Sequence, residues 1–128
     1  MRYKNIHFGK QIENNLIKSL SMAGIEYGKS LELDHNDKID FTLYLNKQQY
    51  GIQLSLKNCK TKAIIARICA LDVVPRFIYL NLAKEFFANP SKEKAVFLYN
   101  ALTDITKKYT HNALYIKINK NGFDIKKI

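Results

Sequence analysis

The chain has 128 residues, with 47% apolar and 25% charged side chains, a balance that supports one globular domain and excludes a disordered tail. No stretch approaches the ~20 apolar residues of a membrane span, and the start Met1-Arg2-Tyr3-Lys4 lacks the hydrophobic segment of an export signal. The net charge is +10, and residues 41–128 carry fifteen basic and five acidic groups against six of each in residues 1–40, so the excess lies after residue 40. Such a surplus favours a polyanionic partner, nucleic acid or an anionic surface. A bland origin is open beside it: with only three Arg, the Lys-, Ile- and Asn-rich composition is what an AT-rich genome produces. Two cysteines, Cys59 and Cys69, make neither a disulfide framework nor a zinc site, and they read as reduced thiols in the cytoplasm.

Taken in chain order, residues 8–22 read as a helix, because Phe8, Ile12, Leu16 and Leu20 recur every four residues and Gly24 follows as a stop. Tyr27 to Leu33 reads as a short strand. Lys38 to Leu45 alternates, with Ile39, Phe41, Leu43 and Leu45 on one face. Tyr50 to Lys57 alternates as cleanly, and Asn46-Lys47-Gln48-Gln49 would be a four-residue hairpin loop between them. Thr61 to Leu71 is long, apolar and alanine-containing, which favours a buried helix. Arg76 to Leu82 reads as a strand, and residues 91–109 as a helix opening at Pro90-Ser91. Ala113 to Asn119 and Phe123 to Ile128 form a closing hairpin around Asn121-Gly122. The expected class is α/β: helix, three-strand meander, helix and strand, then a helix and a hairpin.

The chemistry gathers on the first hairpin. If Leu45 pairs with Tyr50, Asp40 faces Ser55, with Gln53 and Lys57 on the diagonals of the same face. A carboxylate, an amide, a hydroxyl and an amine would then share one patch. Oxygen donors of this kind suit a hard cation such as Mg²⁺, and a nearby amine could orient a water or stabilise charge on a phosphate. The alternative is a half-buried hairpin whose polar face is merely solvated. His7, His35 and His111 share no ligand spacing with the cysteines, which argues against zinc. Lys57, Lys60, Lys62 and Arg67 form a basic run between the third strand and the next helix, either a phosphate-contacting surface or a solvated face.

This order of elements resembles the core of the restriction-endonuclease-like superfamily, the PD-(D/E)xK nucleases. Asp40 matches the motif aspartate, and Gln53 stands at the acidic position of the (D/E)xK element. Gly9-Lys10-Gln11-Ile12-Glu13, followed by Leu16, Leu20 and Gly24, is similar to the first helix of archaeal-type Holliday junction resolvases, with Glu13 at the motif glutamate. Two departures stand out: Gln53 replaces the acid, and Ser55 occupies the lysine position, with Lys57 two residues further along the same face. The resemblance implies a single-domain, Mg²⁺- or Mn²⁺-dependent endonuclease. Asp40, Glu13 and Gln53 would hold the metal, Lys57 would assist catalysis, and Lys57, Lys60, Lys62 and Arg67 would contact nucleic acid. A homodimer is expected by analogy, since cutting two strands usually takes two copies. The alternative it leaves open is a non-catalytic nucleic-acid-binding or assembly subunit that kept the fold.

Overall fold

In the computed structural model, residues 2–28, 31–32, 38–55, 76–83, 85–119 and 122–127 are described. They form two helices, α1 (Arg2–Met22) and α2 (Lys92–Lys108), and eight strands: β1 (Tyr27–Gly28), β2 (Leu31–Glu32), β3 (Lys38–Ile39), β4 (Phe41–Leu45), β5 (Gln48–Ser55), β6 (Phe77–Leu82), β7 (Ala113–Asn119) and β8 (Gly122–Lys127). The helix expected over residues 61–71 lies outside the described residues, as do Lys57, Lys60, Lys62 and Arg67.

Six strands make one mixed sheet in the order β1-β4-β5-β6-β7-β8, and β2 and β3 pair separately. β4 and β5 are antiparallel, β5, β6 and β7 run parallel, and β8 returns antiparallel to β7. The architecture is mixed α/β, and no described helix is long and apolar enough to cross a membrane.

α1 begins earlier than the apolar spacing indicates and stops where Gly24 dictates. Gly24 takes φ +71°, its N–H donates to Ser21 O at 3.1 Å, and the Ile25 N–H reaches Leu20 O at 2.9 Å. This left-handed cap satisfies the last carbonyls at a position where a side chain would be strained. α2 opens as its sequence indicates: Ser91 is extended, and its hydroxyl accepts from Lys94 N–H at 3.2 Å.

One sheet face is the main core. Phe41, Ile52, Ile78 and Leu114 fall in one row, and Leu54, Leu80, Ile116 and Ile125 in another. Ile12, Leu16 and Leu20 of α1 and Ala95, Leu98 and Leu102 of α2 join the same cluster. The period of two on the strands meets the period of 3.6 on the helices, so both elements bury one stripe. The opposite face carries Thr42, Gly51, Phe77 and Ala113 in one row, then Gln53, Tyr79 and Tyr115 in the next. A Cβ on Gly51 would sit 3.2 Å from Ile39 Cδ1 and 3.3 Å from Phe77 Cδ2, so the backbone there is closely covered.

Three expectations on the first hairpin are corrected. The loop is two residues, Asn46 and Lys47, with φ of 54° and 66°, and Gln48 and Gln49 already belong to β5. Two left-handed residues match the strand twist, and Asn tolerates that region; the Asn46 amide also donates to Thr103 O and Thr106 Oγ1 at 3.1 Å each. Leu45 therefore pairs with Gln48 rather than Tyr50, and Tyr50 pairs with Leu43. Finally, the strand expected over residues 38–45 breaks at Asp40. Ile39 packs over Gly51 beside Phe77, on the face opposite Phe41, Leu43 and Leu45.

Candidate functional site

The ladder break creates the site. Asp40 belongs to neither β3 nor β4; its N–H donates to Ile52 O at 3.1 Å, and its carboxylate Oδ2 accepts from Leu54 N–H at 2.8 Å. The side chain thus takes the place a further backbone carbonyl would occupy along the edge of β5. Its carboxylate is 6% exposed at the residue level and is held against the backbone next to Gln53. A charge-assisted bond of this kind fixes a carboxylate more firmly than a neutral one would.

Gln53 supplies the second feature. Its Oε1 is buried and has no hydrogen-bond partner among the described residues. An orphaned buried acceptor costs about 1–3 kcal/mol relative to a satisfied one, so this oxygen is poised for a donor or a cation. Gln53 sits in the row of Tyr79 and Tyr115, whose rings stack at 5.7 Å and 13°. In the next row, Ser55 stands beside Asn81, which stands beside Lys117. Asn81 Nδ2 donates to Tyr115 Oη at 2.8 Å, tying the two rows together.

Glu13 belongs to α1, which packs on the main core face, the side of the sheet opposite Gln53. β5 and β6 run parallel and β4 runs against them, so Ser55, Leu82 and Asp40 all lie at one end. The turn after β6 leaves from that end. Asn15 Nδ2 donates to Phe87 O at 3.0 Å and to Ala88 O at 3.1 Å, and Ser91 N–H donates to Ser19 Oγ at 2.8 Å. The stretch of α1 around Asn15 and Ser19 therefore meets the turn at this end. Glu13 is 8% exposed, on the buried stripe with Ile12 and Leu16, and its Oε2 pairs with Lys10 Nζ at 3.3 Å. It is not the solvated helix glutamate that position could have held.

The site differs from the one expected in composition and layout. Asp40 meets β5 at Leu54, beside Gln53, and not opposite Ser55. The break in the ladder also means that Asp40 and Ser55 no longer share a face by simple alternation. Lys57 falls outside the described residues, as do Cys59, Cys69 and the basic run. No group of three or more His, Cys, Asp or Glu that could hold a metal occurs among the described residues. The Tyr79–Tyr115 pair beside Gln53 went unread as part of the site. Its signal was slight, one tyrosine at the third position of each strand, and strand order across the sheet is invisible in the sequence.

The arrangement presents a fixed carboxylate and, one residue along β5 from its anchor, an amide oxygen with no hydrogen-bond partner among the described residues, both hard oxygen donors. No protein-family model, no curated protein and no solved structure was found to match this chain.

Proposed function

We propose that the chain is a small divalent-metal-dependent nuclease of restriction-endonuclease-like architecture, hydrolysing phosphodiesters of nucleic acid, with DNA the favoured substrate over RNA. The observation that carries this reading is the placement of the Asp40 carboxylate on Leu54 N–H, one residue from the buried, donorless Oε1 of Gln53. The antiparallel β4–β5 pair followed by the parallel β5–β6 pair agrees with it.

These residues fit Mg²⁺ or Mn²⁺, which take oxygen ligands, need only one or two carboxylates and keep several waters. Asp40 would hold the ion by its carboxylate and Gln53 by its neutral amide oxygen, while Glu13, on α1, would reach it only through water. When bound, such an ion polarises the phosphoryl group and makes its water a better nucleophile. Asp40, anchored by the Leu54 amide, keeps its ligand geometry without reorganising during the reaction. Lys57 orients the attacking water or neutralises charge on the phosphate. Lys57, Lys60, Lys62 and Arg67 hold the nucleic-acid backbone, and the chain works in the reducing cytoplasm.

One observation favours a second reading. Ser55, in the row of Asn81 and Lys117, occupies the position where the resembling enzymes carry their lysine. On this reading the chain binds nucleic acid without cutting it. Incubating purified protein with plasmid, junction and RNA substrates, in Mg²⁺, Mn²⁺ or chelator, separates the two. Cleavage that chelator abolishes supports the nuclease. Salt-sensitive binding with no cleavage supports the second reading, and a protein that neither cleaves nor binds would overturn both.

Gln53→Glu tests the metal position independently of turnover. In metal-free buffer, a buried second carboxylate beside Asp40 is uncompensated, and the melting temperature should fall below that of the wild type. Added Mn²⁺ should then raise it by more than it raises the wild type, because the variant binds the ion more tightly. Equal responses to Mn²⁺ in both proteins would place the ion elsewhere.

A further inference from the structure

The far edge of the sheet carries a second feature that the proposed chemistry leaves unused. β8 is the last of the six strands, so its outer edge pairs with no strand among the described residues. Beside it lies an aromatic patch that is only partly covered. Phe97 of α2 is 51% exposed and stacks on Phe123 of β8 at 5.8 Å and 20°, with Phe86 next to it at 6.3 Å. An edge with no strand partner among the described residues, flanked by exposed aromatic surface, is a template for strand addition.

We propose that β8 pairs with β8 of a second copy of this chain, antiparallel about a two-fold axis perpendicular to the sheet, joining the two sheets into one. The charge pattern of the strand selects both the occupant and the register. Alternation puts Asp124 and Lys126 on one face, and Phe123, Ile125 and Lys127 on the other. About such an axis, directly opposed residues share a face, so the axis must pass through a residue position. Centred on Ile125, the pairing sets Asp124 against the partner's Lys126 and Lys126 against the partner's Asp124, with the two isoleucines meeting at the axis. Shifted to centre on Asp124, it opposes Asp124 to the partner's Asp124. Shifted to centre on Lys126, it opposes Lys126 to the partner's Lys126. Only the middle register is complementary, and like charges directly opposite disfavour its neighbours.

The ladder with β7 agrees with this register. Asn119 and Gly122 are partners separated by two residues, so they form the hydrogen-bonded closing pair of the hairpin. Alternation from there leaves the N–H and C=O of Phe123, Ile125 and Lys127 turned to the outer edge, away from β7. An Ile125-centred pairing uses these groups. Asp124 and Lys126 then fall in the non-hydrogen-bonded pairs, where opposed side chains are closer. On its own ladder Asp124 faces Lys117, so the joint sheet places it between two lysines. Phe97 and Phe123 lie on the face of Ile125 and add apolar surface along the joint.

Sedimentation equilibrium near physiological salt tests the proposal with single and paired charge reversals, and circular dichroism checks that each variant is folded. The wild type should be dimeric at tens of micromolar. Asp124→Lys and Lys126→Asp each create two like-charge pairs and should raise the dimer Kd about tenfold or more. The double variant Asp124→Lys, Lys126→Asp should recover the wild-type Kd. An equimolar mixture of the two single variants should form a heterodimer, since each supplies the charges the other lacks. A monomeric wild type overturns the proposal. So does a dimer whose Kd is unchanged by the single reversals, or one that the double variant and the mixture fail to restore.

Discussion

Asp40→Asn is expected to lower metal-dependent cleavage by about 10²-fold or more while leaving the fold intact, as for loss of one preorganised electrostatic group. The substitution separates the two jobs of this side chain. An amide oxygen can still accept from Leu54 N–H, the bond that holds residue 40 against β5 at 2.8 Å. What is lost is the negative charge, which a divalent ion needs more than the hydrogen bond does. Asp40→Ala should lose the same activity and also some stability, because a buried backbone N–H is left without its acceptor, at about 1–3 kcal/mol. Cleavage kinetics and urea unfolding on the same preparations distinguish these effects. Full activity in Asp40→Asn would remove Asp40 from the reaction and reduce it to a structural bracket.

The largest effect on stability is expected at Phe77. It is fully buried on the face opposite the main core, between Gly51 on β5 and Ala113 on β7, with Ile39 packed alongside. Both row neighbours are small, so neither can fill the space. Phe77→Ala should cost about 3–5 kcal/mol, at the severe end for core truncations because its row neighbours cannot close the cavity. For a domain of this size that corresponds to a fall in melting temperature of roughly 10–20 °C. Phe77→Leu should recover much of the loss by keeping most of the volume. A cost of under about 1 kcal/mol for Phe77→Ala would mean that this second face is not closely packed at β6.

The elements were legible where one physical rule acted alone. Alternation assigned the buried faces of β4 and β5, and the Gly24 stop and Ser91 start of the helices follow from left-handed geometry and capping. The first hairpin was harder because two rules compete there. Asn46-Lys47 can turn in two residues, whereas Gln48 and Gln49 look polar enough for a loop, and moving the turn shifts the register of every partner. The break at Asp40 hides for a related reason. Ile39 and Phe41 share a parity, so a regular strand and an interrupted one have the same pattern, yet the side chains end on opposite faces.

The site was legible residue by residue but not as an arrangement. Asp40 and Gln53 stood out as the polar positions of two apolar strands, and the shorter turn brings them closer than the expected register did. The burial of Glu13 follows from its place on the flank of the Ile12–Leu16–Leu20 stripe. Only the turn after β6, bonded to Asn15 and Ser19, ties that part of α1 to the end of the sheet where Asp40 stands. The Tyr79–Tyr115 stack depends on β6 and β7 being neighbours, which nothing local in either strand encodes.

The most direct test of a divalent-ion site at Asp40 and Gln53 is paramagnetic broadening of backbone amide resonances by Mn²⁺. At substoichiometric Mn²⁺, the amides of Asp40, Gln53 and Leu54 should broaden first, and those of the β7–β8 hairpin should stay sharp. Asp40→Asn should abolish the selective loss, and excess Mg²⁺ should reverse it in the wild type. Uniform broadening across the chain, or broadening centred away from Asp40 and Gln53, would contradict a metal site at the break between β3 and β4.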